Sequence, residues 1–195
     1  GRDESVARLL PRSQIIATRF AGDTSQSPDI ERVHLDGNLH TLYEAALRFI
    51  SRYCDLWEQR PRPIPGADTE SETPFTARAN YHRGAVAEAV SNALAHRDLA
   101  LRDVATRIHI FDRSIEIINA RRTAGFAPTA LRAIRYGVPQ RLNPQLAAVF
   151  SSPAYGLKMP GGGLPALLRM ARTFSGRRAE IHAFNDEFRL RLYGV

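Results

Sequence analysis

The stretch Tyr81–Asp98, reading YHRGAVAEAVSNALAHRD, constrains the fold more than any other part of the chain. Val86, Ala89, Val90, Ala93 and Leu94 recur at three- and four-residue steps, the period of an amphipathic helix with one side on a core. Glu88, Asn92 and His96 follow one another at i, i+4 and i+8, so they form one slowly drifting polar stripe on that helix. A carboxylate and an amide one turn apart, beside small side chains, can hold a hydrated metal and a water against a ligand. A plainer reading, three polar residues facing solvent, accounts for the stripe taken alone. The His96-Arg97-Asp98 stop and the later glycine cluster Gly161-Gly162-Gly163 favour a site.

The flanking text alternates between strand and helix patterns. Ser13–Phe20 reads as a strand, followed by the turn-rich GDTSQSPD and a second short strand near Arg32–Leu35 that ends at Asp36-Gly37. Asn38 is placed to cap a helix running to about Trp57 on the period Leu42, Tyr43, Ala46, Phe49, Ile50. Arg60–Phe75, rich in Pro, Ser, Thr and acid, reads as a surface loop. Arg107–Phe111 and Ser114–Ile118 form a hairpin about Asp112-Arg113, with Ile108, Ile110, Ile115 and Ile117 on its packed face. Short helices are expected at Pro128–Tyr136 and Asn143–Phe150, the second capped by Asn143 with Pro144 in its first turn. A longer helix follows at Leu164–Phe174, then strands at Arg178–Phe184 and Glu187–Tyr193 joined at Asn185-Asp186. This order predicts an α+β, two-layer sandwich with helices on one side of a mixed or antiparallel sheet. Residues 1–37 would supply connector strands, a small flanking strand-loop-helix element, and 38–195 the main domain.

Composition excludes several classes. No apolar run approaches the ~18 residues of a membrane helix, and GRDESVARLL lacks a signal-peptide layout. Cys54 is the sole cysteine, which rules out an intrachain disulfide and suits a cytoplasmic location; its plainest role is a small buried hydrophobe on a helix. Net charge is +7, and Lys158 is the only lysine, so arginine carries nearly all the positive charge. Such a surplus favours polyanion partners through phosphate contacts, although a genome biased toward arginine codons produces the same surplus. There is no G-x-x-x-x-G-K-[ST], which excludes a helicase motor within this chain. No Cys-His cluster suggests zinc, and no G-x-S-x-G elbow is present. His96-Arg97-Asp98 echoes a kinase catalytic loop but lacks its following asparagine and any preceding Gly-rich loop.

The segment AEAVSNALAHRDLA resembles the N-box region of the GHKL (Bergerat-fold) ATPase superfamily, whose core is E-x-x-x-N. More narrowly, it is similar to the divergent GHKL-like domain of bacterial transcriptional-regulator-like proteins labelled RecG-related ATP-dependent DNA helicases, where a Schlafen/AlbA-type domain precedes it. The likeness runs from about Pro11 to the end of the chain. It implies a GHKL-type sandwich, with Glu88 as general base on an attacking water and Asn92 as a ligand of magnesium bridging nucleotide phosphates. It places His96 near the pocket as a phosphate or base contact, and Asn119 where GHKL enzymes bind the adenine amino group. Asn119-Ala120-Arg121 replaces the family's Asn-Pro-Gly, so both Pro and Gly are missing there. Arg141-Leu142-Asn143-Pro144 stands for its Arg-Asn-Pro. Gly161, Gly162 and Gly163 match its second glycine box and would cradle phosphate, with Lys158 adding a charge where an acidic residue is usual.

Two functions follow as expectations. One is a nucleotide-binding regulatory domain that takes ATP and Mg2+, with binding ahead of weak magnesium-dependent hydrolysis. The other is a degenerate GHKL-like module without nucleotide, acting in homodimerisation or in DNA or protein contact. DNA would be reached through an arginine surface or an absent N-terminal domain.

Overall fold

The computed structural model describes residues 4, 13–60, 78–101, 103–120, 143–155, 162–184 and 187–195. In chain order the elements are β1 (Ile15–Phe20), β2 (Asp29–Leu35), α1 (Leu39–Tyr53), β3 (Asp55–Trp57), β4 (Asn80–His82), α2 (Arg83–Ala95), β5 (Thr106–Ile110) and β6 (Ser114–Ala120). They continue with α3 (Pro144–Ser151), a 3-10 turn at Pro153–Tyr155, α4 (Gly163–Ser175), β7 (Glu180–Phe184) and β8 (Glu187–Tyr193). Six strands form one sheet in the order β2-β1-β5-β6-β8-β7, while β3 and β4 make a separate pair. Within the large sheet β1 and β5 run parallel and every other neighbour is antiparallel. The early strands, read as connectors, therefore occupy one edge of the main sheet.

Alternation along the strands sorts side chains to two faces. Ile15, Ala17, Ile108, Ile110, Ile115, Ile117, Leu190 and Leu192 turn to the helices and build one core with Phe49, Val86, Val90 and Leu167. The opposite face bears Arg107, His109, Glu116, Arg189 and Arg191, whose register places them on neighbouring strands. The result is a two-layer α/β sandwich.

Three local expectations are corrected. The helix expected to reach Trp57 stops at Tyr53; the Cys54 N–H closes it on the Ile50 carbonyl at 2.9 Å, and Cys54 itself is extended. Cys54 thus lies just past the helix, buried as expected. Asp55–Trp57 then pairs in parallel with Asn80–His82, a partner distant in sequence. That pair is locked to the chain end, because Asn80 and Val195 exchange two backbone bonds of 3.1 Å each. Gly194 fits beside it because a Cβ there would stand 2.9 Å from the Tyr81 ring.

The second correction concerns α2. A one-sided amphipathic helix was expected, yet every residue of α2 except Arg83 and Asn92 is buried. It is wedged among the sheet, α1, α3 and α4. Alanine and glycine suit such a position because small side chains let several neighbours approach closely. His82 caps its start, accepting from the Ala85 N–H through Nδ1.

The third concerns Asn143, which was expected to cap α3. It makes no side-chain capping bond there. Its Nδ2 donates instead to the carbonyls of Ala95 at 3.1 Å and Arg97 at 2.7 Å, at the end of α2. The Ala95 carbonyl ends the helix without a partner inside it, and the amide supplies one while also binding the residue after the cap. Asn38, by contrast, caps α1 as expected, accepting from His40 and Thr41. The expected helix at 128–136, the loop over 61–75 and the 185–186 turn lie outside the described residues.

Candidate site at the end of the buried helix

Glu88 and Asn92 lie one turn apart on α2, as the spacing predicts. Glu88 is 5% exposed, and its Oε1 accepts from Asn92 Nδ2 at 3.3 Å. This bond orients the amide, turning its harder donor, Oδ1, away from the carboxylate. Tyr43 of α1 is a neighbour that the sequence did not single out. Burial pushes its phenol up to about 12, and the charges of Glu44 and Glu88 add to the effect. Tyr43 also packs on Phe150 of α3, with ring centroids 5.7 Å apart.

The glycine turn opens α4, which packs on α2. α2 and α4 pack along one another, and His82 at the start of α2 touches Phe174 near the end of α4 at 6.0 Å between ring centroids. The start of α2 thus lies beside the end of α4. Gly162 and Gly163 open α4 with φ of 90° and 61°. A Cβ on Gly162 would stand 2.7 Å from the Ala166 Cβ, so the bend requires glycine there. The N-termini of α3 and α4 both lack a side-chain cap bond, and that of α3 meets the last turn of α2 through Asn143. Helix N-termini present N–H groups and a positive dipole end to anions. Lys158 and Gly161 lie outside the described residues.

His96 is half-buried and closes α2, its N–H donating to the Asn92 carbonyl at 2.9 Å. Arg97 is 5% exposed and donates to the carbonyls of Val104 at 2.8 Å and Gln14 at 3.5 Å. Its structural role was not legible in the sequence beyond the His-Arg-Asp stop. Asp98 accepts from the Ala100 N–H and donates its own N–H to Ala120, holding the turn against β6.

Asn119 is 3% exposed on β6. Its Oδ1 accepts from Thr106 Oγ1 at 2.7 Å, and its Nδ2 donates to the Ala93 carbonyl at 2.6 Å. An amide has two donors and two acceptor positions, so each end keeps one further hydrogen-bonding position. An aspartate could not make the Ala93 bond, which explains an amide here.

Among the described residues no group of three His, Cys, Asp or Glu side chains gathers to hold a metal. Magnesium does not need such a group, since it keeps several waters and takes one or two hard protein oxygens. The Glu88–Asn92 pair, whose Nδ2 is taken up by the carboxylate, leaves the Asn92 amide oxygen as one such hard donor. No described helix is long and apolar enough to cross a membrane.

No protein-family model and no curated protein matches the chain. The fold is similar to the crystal structure of the DIP2311 protein from Corynebacterium diphtheriae, with a TM-score of 0.65 and 16% identity. The likeness covers 95% of this chain but only 30% of that one. At that identity it speaks for the sandwich alone.

Proposed function

We propose that the chain is a nucleotide-binding regulatory domain of a bacterial transcriptional-regulator-like protein, taking ATP with Mg2+ in the cytoplasm. One observation carries the reading: the end of α2 bearing Asn92, one turn from Glu88, is met by the N-terminus of α3 through Asn143, and α4, opened by Gly162 and Gly163, packs on the same helix. In this reading Asn92 holds the metal through Oδ1 and the α4 bend receives phosphate. Glu88 orients a water and accepts its proton, and His96 contacts phosphate or base. Magnesium, when bound, supplies charge neutralisation at the phosphates. Nucleotide binding would set the position of a nucleic-acid-binding domain in a longer protein, and hydrolysis is secondary.

The competing reading, a degenerate module that acts by dimerisation or DNA contact, is favoured by Asn119, whose amide is already engaged by Thr106 and Ala93. A thermal-shift titration with ATP, ADP and AMPPNP, with and without magnesium, separates the two. Ligand at about 100 times its Kd adds about 2.7 kcal/mol, and each kcal/mol is worth roughly 2–4 °C in a domain of this size. Asn92→Ala should lose the magnesium-dependent part of the shift. No shift at millimolar nucleotide retires the proposal in favour of the degenerate module.

A further inference from the structure

The start of α2 is held by a group with two charge states and a different partner for each. His82 closes β4 and is half-buried, its ring edge-on to Phe174 of α4 at 6.0 Å between centroids. Its Nδ1 accepts from the Ala85 N–H at 3.2 Å and so caps the helix. A backbone N–H only donates, so Nδ1 offers a bare lone pair and the ring is neutral, with its proton on Nε2. The usual capping residues act through side-chain oxygens, which go on accepting at the pH where an imidazole charges.

Protonation would reverse these contacts. An imidazolium carries a hydrogen on Nδ1, set against the Ala85 N–H, and adds positive charge at the positive end of the α2 dipole. The charged ring has another partner in Glu58, just beyond β3, whose carboxylate and backbone both favour it. That carboxylate is largely exposed and lies 3.4 Å from Arg83 Nε at the start of α2. Arg60 and Arg172 are the charged groups at the end of α4, where Arg60 donates to the Phe174 carbonyl at 3.2 Å. Asp55 and Arg78 pair with each other at 3.5 Å toward the far end of the β3–β4 ladder. Burial outweighs Glu58 and holds the ring below the ordinary histidine pKa, so the neutral, capping form prevails at neutral pH.

We propose that His82 is a pH-sensitive switch on α2. Neutral, it caps the helix through Nδ1; protonated, it leaves Ala85 and turns to Glu58, and the first turn of α2 opens. The fold favours the neutral ring, so the capping stability is present above the ordinary histidine value of about 6.5 and is lost as pH falls through the folded value. The switch works without a ligand and goes beyond the nucleotide reading, which a thermal-shift titration decides separately.

NMR of the full, ligand-free chain tests this, following the His82 ring nitrogens and the Ala85 amide from about pH 8 to about pH 5. At the upper end the ring should carry its proton on Nε2. On acidification the Ala85 amide should lose protection roughly tenfold, after correction for the intrinsic pH effect on exchange, with the midpoint of the His82 titration. His82→Asn keeps a capping side chain that does not titrate, so Ala85 should stay protected throughout. Glu58→Gln, at an exposed position, should move the His82 midpoint to lower pH. The proposal is overturned if the neutral ring carries its proton on Nδ1, or if Ala85 protection does not change across the His82 titration. It is equally overturned if the acid loss persists in His82→Asn, or if Glu58→Gln leaves the midpoint in place.

Discussion

Asn119 Nδ2 donates to the main-chain carbonyl of Ala93 at 2.6 Å, and this single bond fastens β6 to the buried helix α2. The Thr106 hydroxyl completes the clamp from β5. The candidate site is thereby built on a helix that the sheet grips by its backbone.

Asn119→Ala should lower stability by about 2–3 kcal/mol, because it strands the Ala93 carbonyl and the Thr106 hydroxyl in the core. Urea denaturation measures the loss. Asn119→Asp is the sharper probe. An ionised carboxylate would face the Ala93 carbonyl, whereas the protonated acid can donate to it. The fold then favours the protonated form and raises the carboxyl pKa. The variant's stability should therefore be greatest at low pH and fall as pH rises through that raised pKa. A flat difference from the parent protein between acid and neutral pH would contradict this account.

On the open face of the sheet, His109 Nδ1 lies 3.6 Å from Glu116 Oε2, an ion-pair distance, and both side chains are nearly buried. His109 is the chief influence holding the Glu116 carboxyl below its ordinary range; burial opposes it, and Arg189 and Arg191 add to the lowering. A depressed folded-state pKa gives stability that is present above the ordinary glutamate value of about 4.3 and lost as pH falls through the folded value. Glu116→Gln should therefore be less stable than the parent at neutral pH. The gap should close in acid, as followed by thermal melts across pH.

Gly162→Ala should cost about 1–2 kcal/mol from the left-handed backbone alone, and more from contact with Ala166. Thermal melts measure that part. If the α4 bend receives phosphate, the same substitution should also shrink the ATP-induced shift beyond what lower stability explains. A shift of unchanged size would remove the bend from the nucleotide site.

Burial pushes the Cys54 thiol up to about 12. Since thiolate is the reactive form, the folded protein should resist alkylation by iodoacetamide at about pH 8 and react fully in denaturant. Rapid modification of the native protein would show that the β3–α1 junction opens readily.

Much of the element layout was legible because it rests on local chemistry. The α1 cap at Asn38, the Ile108–Ile117 hairpin and the one-turn spacing of Glu88 and Asn92 each depend on residues close in sequence. The Asn143 cap was misread for the opposite reason. An Asn-Pro pair before a helix promises a cap, but the open carbonyls of Ala95 and Arg97 lie nearer to that amide in space. The arrest of α1 at Tyr53 likewise depends on the pairing of β3 with β4, a partner far along the chain.

By itself the sequence determined the layered α+β character, the central helix and the polar pair on it, because periodicity and capping act over a few residues. Only the tertiary structure decided that this helix is enclosed on nearly every side, that Asn143 brings the start of α3 to its end, and that Arg97 ties that end to the carbonyls of Val104 and Gln14. Those outcomes depend on backbone groups and side chains far apart along the chain finding partners, and such pairings leave no mark in a local pattern.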